Sequence, residues 1–156
     1  MTDDLGRVRA VANYQFGKGT GERLFPNDVS IEYSKGTGRI RYVHLDGKRL
    51  VTMRPTDGLF SLSIAGAKRI VDNADRSKYL VCVRDDVSEV IAEGGDVFAL
   101  HVVRVDEAVR AKDEVIVVDE NGKVLAVGRA ALSGIEMLAF KSGVAVKVRH
   151  GVREES

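Results

Sequence analysis

No tryptophan occurs in the 156-residue chain, aromatic residues make up only 6% of it, and cysteine occurs once, at Cys82. A lone cysteine forms no internal disulfide. With histidine only at His44, His101 and His150, no metal-ligand spacing exists either. Cys82 lies in the apolar run "YLVCV" and reads as a small buried side chain. Scarce aromatics mean that any contact with nucleic acid depends more on charge than on base stacking. No run approaches the ~20 apolar residues of a membrane span. The start "MTDDLGRVRA" lacks the charged-then-apolar order of a secretory signal. A soluble cytoplasmic protein, without metal or cofactor, is the expectation.

Net charge, at +1, is also nearly absent, but its distribution is uneven. Lys35 to Arg54 holds six Lys and Arg against one carboxylate, Asp46, and Lys141 to Arg153 holds four with none. Between them, Asp72 to Glu120 carries thirteen carboxylates against six basic residues, so the surface is expected to be polarised.

Leu5, Val8, Val11 and Ala12 recur at helical spacing, and "GKGTG" breaks that helix before a second short one ending at Pro26. The period then changes. "VSIEY", "RIRYVHL" and "KRLVTM" are β-prone, and Asp46-Gly47 is a hairpin signal because both positions favour positive φ. "RPTDGLF" is turn chemistry, "SLSIAGAKRIVDNA" reads as a helix, and Lys78 to Arg84 as a buried strand. "DDVSEVIAEGG" reads as a short helix capped by Asp85 or Asp86 and stopped at Gly94. Beyond Gly95, "DEVIVVDENGKVLAVGRAAL" reads as a hairpin around Asn121-Gly122, with "IEMLAF" and "VAVKVRH" as further short strands. Short strands at close spacing predict a small closed barrel. The expected organisation is an α+β domain over residues 1 to 93 and a β-barrel over 94 to 156.

Catalytic chemistry finds little support. "GKGTGER" fails the phosphate-loop pattern, which needs a preceding strand and a GK[ST] ending, and "SKGTG" sits in a strand connection. Asp57 has no histidine or second carboxylate near it and suits a turn before Gly58. Nothing assembles a nucleophile, a base and an orienting group, so the chain is not expected to be an enzyme.

The last strand is different. In "FKSGVAVKVRHG", Val144, Val146 and Val148 alternate with Ala145, Lys147 and Arg149. On a pleated strand Lys147 and Arg149 point the same way, about 7 Å apart, close to the spacing of successive phosphates. Two like charges in a row serve solubility poorly and suit a phosphate backbone well.

The stretch "GGDVFALHVVRVDEAVRAKDEVIVVDENGKVLAVGRAALSGIEMLAFKSGVAVKVRHG" resembles a PUA domain, the RNA-binding module of pseudouridine synthases and archaeosine tRNA-guanine transglycosylases. "ANYQFG", "LFP", "GRIRYVHLDG" and "RPTDGLFSLSIAGAKRI" are similar to the domain preceding that module in the archaeal transglycosylases. The resemblance implies a six-stranded pseudobarrel that binds structured RNA, in that subfamily the acceptor end of tRNA. The contacts it implies are Gly94, Gly95, Asp96, Phe98, His101 and Arg104 in the Gly-rich segment, with Lys147, Arg149, His150 and Arg153 on the last strand. The catalytic barrel and zinc-binding cysteines of the transglycosylase have no counterpart here, so base exchange is not carried over. His101 stands where the pattern often has glycine, and "RAKDEV" lacks a frequent proline. The expected role is RNA binding, of tRNA or another structured RNA, linked to RNA modification. Two alternatives are a non-catalytic subunit docked on a tRNA-modifying enzyme and a structural or small-ligand module. The oligomeric state is left open.

Overall fold

The computed structural model describes residues 3–72 and 79–154. The ends expected for the helix at Ala74 and for the following strand at Lys78 lie outside the described residues. Two compact units divide the chain, residues 1–77 and 78–156.

In the first unit, helices α1 (Asp4–Phe16) and α2 (Thr20–Leu24) precede the strands β1 (Ser30–Tyr33), β2 (Ile40–Leu45), β3 (Lys48–Met53) and β4 (Phe60–Leu62). Helix α3 (Ile64–Asp72) follows. The strands form an antiparallel sheet in sequential order. Asp46 and Gly47 both take positive φ, 51° and 80°, which gives the tight β2–β3 turn that the dipeptide favours. Asp3 caps α1 by accepting from the Gly6 amide at 2.9 Å. Buried Gln15 fastens α1 to β4: its amide donates to the Phe60 carbonyl at 2.9 Å, and its oxygen accepts from the Phe60 N–H at 2.7 Å. A buried polar side chain is tolerated when both of its ends are satisfied, as here. Local pattern places Phe60 in a turn and Leu62 in a helix; both instead belong to β4, which pairs with β3 at Met53 and Val51.

The second unit begins with β5 (Leu80–Val83), a 3₁₀ turn at Asp85–Val87 and α4 (Ser88–Ala92). Next come β6 (Val97–Phe98), a 3₁₀ turn at Ala99–His101, β7 (Val102–Val105), β8 (Glu114–Val118), β9 (Val124–Ala130), α5 (Gly134–Ala139) and β10 (Val144–Gly151). Its six strands are ordered β6-β10-β9-β8-β5-β7. All pair antiparallel except β5 with β8. The strands at the two ends of this order, β6 and β7, are joined by one short turn, so the sheet is a nearly closed barrel. Val81, Val97, Val117, Ala126, Met137 and Val146 meet in its core.

Three expectations are corrected here. The division expected at Gly94 falls inside the second unit, because β5 lies between β8 and β7 and buries Val81 and Val83 in the barrel. "IEMLAF" is helical: Ser133 accepts from the Glu136 amide while the Glu136 carboxylate accepts from the Ser133 amide, a reciprocal capping box. Asp85 is no helix cap; its carboxylate accepts from the Glu120 amide at 3.0 Å, and its own amide donates to Glu120 at 3.1 Å. No helix among the described residues is long and apolar enough to cross a membrane.

Candidate nucleic-acid interface

Gly94 ends α4 at φ +104°, a conformation that costs glycine little, and its amide donates to the Ile91 carbonyl at 2.9 Å. Gly95 donates to the Val90 carbonyl, also at 2.9 Å. The loop then lies directly against the end of β10. A Cβ on Gly151 would fall 2.3 Å from the Ala92 oxygen and 2.7 Å from the Gly94 nitrogen. The Arg153 amide donates to the Ala92 carbonyl at 2.8 Å. Asp96 accepts from the Val148 amide at 2.9 Å, where β10 bulges out of register with β9. Loop and strand thus form one backbone-level assembly, and Gly94, Gly95, Asp96, His150 and Arg153 are brought together by it.

Phe98 sits at the other end of β10, paired with Val144, and is 48% exposed. Its ring meets that of His101 edge to face, with centroids 6.4 Å apart. Helix α5 packs against the turn that carries His101, and Leu100, Leu138 and Phe140 are exposed there as well. Arg104 is placed elsewhere: it is exposed on β7, in register with Cys82 on β5. Burial pushes the Cys82 thiol up, and the Arg104 guanidinium acts against that shift.

The two cations of the last strand do not behave alike. Lys147 is exposed, as alternation predicts. Arg149 is only partly exposed and grips Glu114 with both terminal nitrogens, one at 3.1 Å, while the Glu114 side chain is fully buried. Arg149 is therefore not a free outward cation; it neutralises a carboxylate that would be costly to bury alone. Arg153 meets Glu89 at 3.3 Å, an exposed pair that contributes little.

Pairing of β9 with β10 adds a residue that strand alternation does not single out. Arg129 is exposed and directly opposite Lys147, and on its other side it is in register with Glu114. Like charges directly opposite across a ladder are unfavourable on their own. Arg129, Lys147 and Arg149 together face one carboxylate, and Arg149 already holds it. Arg129 and Lys147 thus remain exposed on this face beside the Arg149–Glu114 pair. Asp57, the lone carboxylate considered for catalysis, is occupied by Arg54 and accepts from the Leu59 amide at 3.0 Å. Among the described residues no group of three potential metal ligands occurs.

Comparison with known proteins agrees with this architecture. Residues 6–76 match the patch-forming domain C2 of tRNA-guanine transglycosylase, and residues 79–152 match the PUA domain. The tRNA-guanine(15) transglycosylase of Methanobrevibacter smithii is 46% identical over 153 residues, covering 97% of this chain and 23% of that enzyme. That of Pyrococcus furiosus is 45% identical over 148 residues, covering 95% of this chain and 25% of the enzyme. The chain thus spans about a quarter of the length of these relatives. Among solved structures, a hypothetical protein of Pyrococcus horikoshii OT3 superposes with a TM-score of 0.77 at 26% identity, covering 97% of this chain and 92% of that one. The chain is a transglycosylase-type C2 domain followed by a PUA domain, and it is similar to the C-terminal region of the tRNA-guanine(15) transglycosylases.

Proposed function

We propose that this chain binds tRNA through its PUA domain, performs no base chemistry itself, and serves a tRNA-modifying enzyme. The observation that carries the reading is the juxtaposition of Lys147 and Arg129 beside the paired Arg149, on a strand whose far end is docked on the Gly-rich loop. Backbone phosphates supply the anions that this row lacks. The His150 and Arg153 side chains extend the same surface, and Phe98 with His101 offers rings to an unpaired base at its other end. The names of the relatives, enzymes acting on tRNA, favour tRNA over other structured RNA.

The test is a salt titration of tRNA affinity. Cations that neutralise phosphates act through counterion release, so removing one such cation lowers the slope of log affinity against log salt by roughly 0.7 to 0.9. Lys147→Ala with Arg129→Ala is expected to weaken binding most at low salt and to flatten the slope accordingly. Lys68→Ala is the control on α3. Its neighbour Arg69 is unsuitable, because its guanidinium holds the carbonyls of Arg23 and Leu24. Wild-type affinity and slope in the double variant would overturn this interface. In parallel, purified chain incubated with tRNA and labelled guanine is expected to incorporate no label. Incorporation that depends on Asp57 would overturn the non-catalytic reading.

A further inference from the structure

The first unit has a concave site that the tRNA reading does not use. A cavity of about 360 Å³ opens between the β1–β2 turn and the β3–β4 turn. Both walls are closed by backbone hydrogen bonds. Ser34 donates to the Arg39 carbonyl and Gly38 to the Ser34 carbonyl, each at 2.8 Å. On the facing wall Arg54 donates to Leu59 at 2.8 Å and Gly58 to Arg54 at 2.9 Å. The shape is therefore preformed rather than created by a ligand.

Three arginines line the cavity, Arg39, Arg41 and Arg54, against a single carboxylate residue, Asp57. Arg54 already engages both oxygens of that carboxylate, at 3.0 and 3.2 Å. Its NH1 is buried with no hydrogen-bond partner among the described residues, so the cation is under-compensated. Arg41 is held in place by Tyr42, with Nε 3.2 Å from the phenol oxygen and the guanidinium 5.4 Å from the ring centre. Two positive charges are thus left over in a site whose lining also includes the apolar Ile40, Met53 and Pro55 and the hydroxyl residues Ser34, Thr37 and Thr56. Cations beside apolar side chains and hydroxyl groups suit a ligand that is anionic at one end and has an apolar face with polar edges at the other. The volume lies at the small end of ligand cavities, enough for one such unit and not for a duplex.

We propose that this cavity binds a single nucleoside monophosphate unit, with the phosphate on Arg39 and Arg41 and the base against Met53 and Pro55. The unit comes either from a free mononucleotide or from an unpaired residue of an RNA strand. The proposal does not rest on the PUA interface and stands or falls separately from it.

Calorimetric titration of the full chain with GMP, guanosine and inorganic phosphate tests it. GMP is expected to bind at least tenfold more tightly than either of the others, since each lacks one half of the ligand. Arg39→Ala with Arg41→Ala, two exposed side chains on surface strand and turn positions, is expected to lose GMP binding tenfold or more. Lys48→Ala on β3, which does not line the cavity, is expected to leave it unchanged. Absence of saturable GMP binding, unchanged binding in the arginine variant, or guanosine or phosphate binding as tightly as GMP would each overturn the proposal. Displacement of GMP by a single-stranded oligoribonucleotide assigns the site to RNA; failure to displace it assigns the site to the free nucleotide. The Lys147→Ala, Arg129→Ala variant measured with GMP separates the two sites, because it retains GMP binding whether or not it retains tRNA.

Discussion

Arg149 on β10 reaches across β9 to clasp the buried carboxylate of Glu114 on β8 with two nitrogens. Glycine at position 128 allows the strands to meet closely between them: a Cβ there would lie 2.2 Å from the Lys147 carbonyl oxygen. The pair changes what mutation of this strand reports. Arg149→Ala strands a negative charge in the interior and is expected to destabilise the protein by about 3 kcal/mol. Lys147→Ala, on the exposed side, is expected to change stability by no more than about 0.5 kcal/mol. Urea denaturation midpoints measure both. A near-neutral double replacement, Glu114→Leu with Arg149→Met, would confirm that the loss comes from the unpaired carboxylate. Equal midpoints for Arg149→Ala and wild type would show that the pair does not hold.

Docking of the Gly-rich loop on β10 predicts a second class of variant, one that moves the interface without removing a charge. Gly151→Ala drives a methyl group into the Ala92 oxygen and the Gly94 nitrogen, so the loop must shift away from the strand. Overpacking of this kind costs about 1 to 3 kcal/mol. We expect tRNA affinity to fall while its salt slope stays at the wild-type value, because every cation is retained. Asp96→Ala, which leaves the Val148 amide without its acceptor, is expected to act in the same direction, and Asp96→Asn to be milder since an amide oxygen can still accept. A flattened slope in Gly151→Ala would contradict this account.

Much of this architecture is written locally. The Asp46-Gly47 turn and the Gly94 helix stop each follow from a few neighbouring residues, whereas the alternation of β10 holds only in part: Ala145, on the side expected to face outward, is fully buried. Elements set by distant partners are harder to read. β5 belongs to the barrel because it pairs in parallel with β8, a contact that no local pattern encodes, and so a boundary drawn from local texture falls too late. "IEMLAF" is too short and apolar for periodicity to separate strand from helix. The deciding signal is Ser133 with Glu136 three residues on. Alternation gives the side on which Arg149 leaves the strand, but the bulge after Val148 and the carboxylate two strands away decide its role. Arg129 is legible only through the register of β9 on β10.

Cys82 offers a pH-dependent check on the barrel. Burial raises its thiol pKa, and Arg104 opposes the shift. A group whose folded pKa lies above its unfolded value stabilises fully below the unfolded value and loses that contribution as pH rises through the folded one. Stability is therefore expected to decline from the ordinary thiol range of about 8.5 upward. Cys82→Ala should lack that component of the decline. Native protein should also react slowly with a thiol reagent at pH 8 and unfolded protein quickly. Arg104→Ala should slow the native reaction further by removing the one influence that favours the thiolate. Fast labelling of the native protein would mean that the thiol is open to solvent.

Phe98 separates stacking from charge in the proposed tRNA interface. Its ring is half exposed and meets His101 edge to face, and its backbone is held by the pairing with Val144, so little conformational freedom is lost when a base settles on it. Replacing an aromatic platform by alanine typically removes about 1 to 3 kcal/mol per stacked base. That loss does not depend on counterions. Phe98→Ala is therefore expected to weaken tRNA binding by a similar factor at every salt concentration, shifting the line of log affinity against log salt without tilting it. Lys147→Ala with Arg129→Ala is expected to tilt it. Phe98→Leu should recover only part of the loss, because it restores apolar area without the flat face. If Phe98→Ala left affinity unchanged throughout the titration, the exposed ring would have no part in holding the RNA. The strand cations and the loop would then account for binding alone.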